Sequence, residues 1–243
     1  TELTQDADWY ENQVFVADKS GFLPGCGIIL RSERNNELQI VKRTITAVGD
    51  NILHLDSRLG KNFWVNEGAS VATLFPLLTA EYVDDLEISD IVLDGAESAN
   101  ESLNGNYVGG LFIQHCNRHT YKRLISRNYA GDGFSFQVCD DIEFFKCSAI
   151  NNQQLGFHPG SGSQRPVFRH CSSTNNSQGI FFCWGVTGGK IISCTLSENK
   201  QYGVSIGHRD TDNHILKCII ERNGKYGLLF RKEINANSGA HNN

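Results

Sequence analysis

Apolar and polar residues alternate in short bursts through most of this chain, and the bursts recur. A glycine precedes an apolar stretch at Gly110, Gly133, Gly156, Gly179, Gly203 and Gly227, at intervals of 23, 23, 23, 24 and 24 residues. The next three residues read LFI, FSF, FHP, IFF, VSI and LLF. Two more registers keep the period, one of cysteine (Cys147, Cys171, Cys194, Cys218) and one of asparagine (Asn128, Asn152, Asn176, Asn199, Asn223). A fixed period of this size marks a stack of repeated units. Leucine is too sparse for a leucine-rich repeat, and no stretch holds a sustained helical period. Each repeat also carries a second alternating stretch, as Ile142–Phe144 follows Phe134–Phe136. The prediction is a coil of two or three short strands, stacked into an all-β rod.

Strand geometry then assigns faces. Side chains alternate with period two, so the first and third residues after each glycine point inward, as Phe134 and Phe136 do. The second and fourth point outward: Ser135 and Gln137, His158 and Gly160, Phe181 and Cys183, Ser205 and Gly207, Leu229 and Arg231. The cysteine column is expected inside as small apolar groups. The asparagine column is expected at a bend, its amides bonding the backbone of neighbouring turns. This pattern resembles the right-handed parallel β-helix family that contains pectate lyases, polygalacturonases and alginate epimerases. The resemblance spans roughly 81–232 and implies a right-handed parallel β-helix with coils of 23–24 residues.

Upstream stretches such as Gln39–Val41, Asn51–Leu55 and Ala69–Phe75 look like strands but lack the period. Residues 1–80 therefore read as an N-terminal β cap of the same domain, ahead of coils over 81–243. Such a cap is expected to cover the first coil, because a bare coil end exposes strand edges and apolar core. Ala96–Asn106 reads as a polar surface loop. Glu233–Asn243 looks too short and polar to seal the last coil, so another domain or chain is expected to do so.

Composition narrows the partners. A net charge of −5, from 22 basic and 27 acidic residues, is a poor footprint for nucleic acid. No apolar run approaches membrane-spanning length. Methionine is absent, even at position 1, so the chain is expected to be processed or an excerpt. The eight cysteines, four of them in one column and none in a C-x-x-C pair, read as mostly free thiols with no zinc ribbon. The family resemblance implies export, to the periplasm or outside the cell.

The repeat explains folding, so chemistry is sought where polar residues break it. Three adjacent coils supply such residues: His158, Gln164 and Arg165; then Trp184; then His208, Arg209, Asp210 and Asp212. Gln137 and Arg231 flank them on the outward face. Arginine can clamp a carboxylate and histidine can move a proton near neutral pH. Trp184 can stack on a sugar ring. Together these suit proton abstraction beside a uronate carboxylate, giving a lyase or an epimerase. On this reading His158 and His208 exchange protons, Asp210 orients one of them, and Arg165 and Arg209 hold the anionic group. Gln137, Gln164, Trp184, Asp212 and Arg231 line the subsites of a polysaccharide or oligosaccharide. Leu155–Pro159 is similar to the epimerase signature Y-G-F-D-P-H, with His158 in place of its aspartate and Gly160 in place of its histidine. No metal or other cofactor is expected, since the outward file lacks the carboxylates of calcium-dependent lyases. Two alternatives stand beside this one: a glycoside hydrolase using loop aspartates, and a non-catalytic, tailspike-like carbohydrate-binding rod.

Overall fold

In a computed structural model of the chain, which describes residues 1–96, 103, 106–235 and 238–243, Thr1–Phe75 and Pro76–Asn243 form separate units. Most of the polar stretch 96–106 thus lies outside the described residues. The first unit is built on a hairpin of Gly27–Arg34 and Glu37–Val48. Its two-residue turn, Asn35–Asn36, has φ of 53° and 62°, a conformation asparagine tolerates well. Strands Gln13–Phe15, Ile52–Leu55 and Ser70–Ala72 complete an antiparallel five-stranded sheet over an apolar core that includes Ile28, Leu30, Leu53 and Phe63.

The second unit winds through three parallel sheets, one of seven strands and two of six. The seven-stranded sheet stacks Leu78–Glu81, Leu111–Gln114, Phe134–Gln137, Leu155–Pro159, Gln178–Phe181, Tyr202–Ile206 and Tyr226–Phe230. Phe134 and Phe157 stack inside at 5.0 Å, and Phe144 stacks on Tyr121 and Phe168 at 5.0 and 5.6 Å. No helix separates the rungs among the described residues of this unit.

Glycine opens each long strand for want of space rather than for bending. None of the six has a positive φ. A Cβ on Gly156 would strike Ser173 Oγ and lie 2.7 Å from Gly179 O of the next coil. The asparagine column is a ladder of four, with Asn152, Asn176 and Asn199 buried and Asn223 half-buried at its end. Each amide also donates to a carbonyl of the preceding coil, as Asn176 Nδ2 does to Ala149 O at 3.0 Å. Asn128 stands one residue off the ladder, in a left-handed bend where its amide bonds Asp94. All eight cysteines are free thiols, and the four-membered column bonds carbonyls of the preceding coil. Cys116 and Cys139, scattered in sequence, form a second column, with Cys116 N–H facing Cys139 Sγ at 3.4 Å. Among residues 238–243, Ser238, His241 and Asn243 bond the Arg209–Asn213 segment, so this tail adds a partial rung.

Candidate functional site

The outward face of the seven-stranded sheet carries Ser135, His158, Phe181 and Ser205 on successive strands. His158 Nδ1 lies 2.8 Å from Asp132 Oδ2 and 3.4 Å from Ser135 Oγ. Asp132 is buried, and its Oδ1 accepts the Leu155 N–H at 3.0 Å, so the carboxylate is fixed from two sides. The His158 side chain is 12% exposed and its Nε2 is buried without a hydrogen-bond partner. Burial acts most strongly and opposes protonation. The bond and charge of Asp132, helped by the nearby Cys183, outweigh it and hold the imidazole up at about 9.

Next to this file runs another: Gln137, Gly160, Cys183, Gly207, Arg231. Both glycines are required by neighbours folded over them. A Cβ on Gly160 would lie 2.5 Å from Gln137 Cγ, and one on Gly207 would lie 2.7 Å from Arg231 Cβ. Cys183, between them, sits in a notch with Gln137 on one side and Arg231 on the other. Arg231, 13% exposed, lies over the Phe181 ring at 4.2 Å and donates to Ser205 Oγ, Phe182 O and Asp210 Oδ2 at 2.8, 2.6 and 3.1 Å. Its Nε is buried and unpartnered.

Asp210 does not orient a histidine. Its carboxylate accepts the N–H groups of Val186 and Gly207 at 3.0 and 2.8 Å besides bonding Arg231. Burial raises its pKa against those bonds, and burial lowers that of Arg231 against the pull of Asp210. The notional exchange between His158 and His208 also meets distance. His208 lies two coils on and three residues further along, roughly 10 Å in each direction at ~4.8 Å per coil and ~3.3 Å per residue. That sets the two backbones on the order of 14 Å apart, in different files.

His208 belongs instead to the corner that follows the seven-stranded sheet. Here successive coils put Tyr82, His115, Val138, Gly162, Trp184 and His208 at positive φ. Tyr82 is 77% exposed, Val138 and Trp184 48% each, and His115 is exposed too. Tyr82 and His115 stack at 4.8 Å and 1°, and Trp184 lies against His208 at 5.1 Å. A left-handed conformation costs a non-glycine residue about 1–2 kcal/mol, and β-branched Val138 is a marked outlier there. At the other coil bends the non-glycine residues at positive φ, Ala96 apart, are polar ones such as Asp85, Arg123, Asn151 and Lys217. Arg209 and Asp212, both exposed, flank the ridge at its last full coil.

Arg165 is committed elsewhere. It bonds Asp141 twice, at 2.7 and 2.9 Å, and Asp140 at 3.2 Å, reaching back one coil rather than across Gly188 to Asp212. Arg118 grips Asp85 and Asp84 in the same way. Gln164 likewise bridges coils, donating to Gly162 O and Gly185 O and accepting from Thr187 Oγ1. Asp140 and Asp141, the adjacent acids weighed for hydrolysis, are thereby paired with a cation. No group of three or more metal-ligating side chains occurs among the described residues. Sequence reasoning passed over Asp132, Tyr82, His115 and Val138. Asp132 carried one usable signal, since it precedes Gly133 and so faces the next coil beside the outward file.

The coil and its three parallel sheets define a right-handed parallel β-helix. The chain belongs to the family described as the right-handed beta helix region, whose model matches residues 99–243. None of the curated proteins matches. Among solved structures it is similar to the tailspike gp61 of Pseudomonas phage phi297, at 10% identity and a TM-score of 0.36, over 88% of this chain and 46% of that one. The gp54 tailspike of Acinetobacter baumannii bacteriophage AP22, solved with a capsular saccharide, matches at 11% identity and 0.31 over 88% and 44%. The gp49 tailspike of Pseudomonas phage LKA1 matches at 13% and 0.31 over 90% and 46%. The chain spans less than half the length of each of these tailspikes.

Proposed function

We propose that this β-helix binds a polysaccharide along the corner after its seven-stranded sheet. The observation that carries this is the ridge of exposed Tyr82, His115, Val138 and Trp184, with half-buried His208 beside Trp184, in strained backbone. Backbone strain of this kind clusters at surfaces that contact ligands. Rings and apolar groups at intervals of ~4.8 Å suit an extended chain of sugar rings, each offering an apolar face for stacking. Arg209 and Asp212 give the ridge polar flanks for hydroxyl or carboxylate groups. The test is gel retardation by a panel of acidic and neutral polysaccharides. Wild type is retarded by at least one, and the Tyr82→Ala/Trp184→Ala double variant is not, while its denaturation midpoint stays within experimental scatter. Equal retardation of both proteins, or of neither by any polysaccharide, sinks the reading.

A second reading is a lyase, favoured by the Asp132 carboxylate on His158 Nδ1, which raises the basicity of the imidazole. A single imidazole can take the proton beside a uronate carboxylate and return it to the leaving oxygen from the same face. An epimerase needs a second group on the opposite face, and His208 is too far away for that. The lyase also needs the sugar to reach a buried Nε2. Appearance of an ultraviolet-absorbing unsaturated product, lost in His158→Gln, is the result that would establish it.

A further inference from the structure

We propose that Cys183, His158 and Asp132 form a thiol–imidazole–carboxylate relay that cleaves a carboxylic ester, with Arg231 steadying the oxyanion. This goes beyond the saccharide-binding reading and uses none of its ridge residues. The geometry meets each requirement of such a relay in turn. Asp132 fixes the imidazole through Nδ1 at 2.8 Å and is itself fixed by the Leu155 N–H. With Nδ1 occupied, the nitrogen left for chemistry is Nε2, buried and bare. Cys183 lies on the next strand, two residues past the position opposite His158 and on the same face, a diagonal neighbour with no hydrogen bond to the ring. Catalytic contacts of this kind commonly tighten only when substrate is bound.

Cys183 also differs from the other cysteines of the coils, Cys26 lying in the first unit. Cys116, Cys139, Cys147, Cys171, Cys194 and Cys218 each hand the S–H to a backbone carbonyl. Cys183 makes no such bond and only approaches Ser161 Oγ, at 3.8 Å. It is partly exposed, between Gly160 and Gly207, over which Gln137 and Arg231 fold. Arg231, on the strand beyond Gly207 in the same file, keeps a buried Nε–H with no acceptor. A carbonyl oxygen entering the notch would supply that acceptor.

The step is balanced as follows. Above about 9, where the imidazole is neutral, the S–H proton passes to His158 Nε2, the sulfur bonds to the acyl carbon, and the Arg231 Nε–H bonds the developing oxyanion. The C–O bond then breaks, and the alcohol leaves with the proton held on Nε2. Water attacks the thioester, loses a proton to Nε2, and the acid leaves as the proton returns to sulfur.

The probe is p-nitrophenyl acetate with the full chain, read as nitrophenolate release and as the site of acetylation by peptide mass spectrometry. Acetylation at Cys183 is expected, abolished in Cys183→Ser and slowed about a hundredfold in His158→Gln, the usual size of a general-base contribution. Asp132→Asn is a positioning variant, and its pH–rate limb should move to lower pH because the imidazole loses its anionic partner. Acetylation elsewhere with Cys183 untouched, release unchanged in Cys183→Ser, or Cys183 acetylation indifferent to His158→Gln each overturns the relay. The denaturation midpoint of each variant separates loss of chemistry from loss of fold. Failure here leaves the retardation test of the ridge unaffected.

Discussion

Truncating Asn176 to alanine tests whether the asparagine ladder holds the coils together. The side chain is fully buried, and its Oδ1 accepts both the N–H and the Nδ2 of Asn152 at 2.9 Å. Its Nδ2 donates to Ala149 O and Ser173 Oγ at 3.0 Å each. Ser173 Oγ keeps a bond to Gly179 O, so the main losses are the two Asn152 donors and one acceptor on Ala149. A buried donor left without a partner costs about 1–3 kcal/mol. Two donors therefore give ~4 kcal/mol, and recovered side-chain freedom returns about 1 kcal/mol. The expected destabilisation is about 3 kcal/mol, a large part of the ~5–15 kcal/mol that holds an ordinary domain. The control is Asn175→Gly, one residue away, exposed and at φ 59°, where glycine is at ease. Urea denaturation should show a lowered midpoint for Asn176→Ala and little change for Asn175→Gly. Equal midpoints for the two variants would refute the ladder as a source of stability.

Three more expectations follow from buried and exposed charges. Asp210→Ala should cost about 3–5 kcal/mol in urea denaturation, because it strands the Arg231 guanidinium without its carboxylate. Arg165→Ala should change the midpoint by less than about 1 kcal/mol despite its contacts with Asp140 and Asp141, because solvent screens all three side chains. His158 is raised above its ordinary value to about 9, so the stability it contributes is complete below about 6.5 and is lost as pH rises through about 9. Asp132→Asn should flatten that alkaline loss in a series of thermal melts across pH.

The fold was legible because a β-helix writes its geometry into spacing. Gly133 and Gly156 recur with the coil since a Cβ there would meet the next coil's backbone, and Phe134 and Phe136 alternate because the pleat does. The partners of the candidate residues were much less legible. Whether Arg165 turns forward to Asp212 or back to Asp141 depends on rotamers, and either choice satisfies the same file. Asp210 looked like an exposed loop acid, yet it follows Cys116, Cys139 and Ser163 down an inner corner and is buried with them. No local pattern distinguishes an acid tucked under a bend from one standing on it.

The corner ridge and the notch over Cys183 are products of one constraint seen from two sides. A stacked coil fixes the backbone but leaves each file free to vary, so function concentrates in files where the sequence departs from what stacking favours. At the corner the departure is bulk where asparagine or glycine would relieve strain, as at Val138 and Trp184. On the sheet it is the reverse, with Gly160 and Gly207 giving up side chains so that Gln137 and Arg231 fold over them on either side of Cys183. Both departures spend stability that a polar bend or a filled file would have kept, and both fall on the seven-stranded sheet and the corner it runs into. A purely structural rod has no reason to place them together there, which is why the two surfaces are assigned separate tasks on one flank.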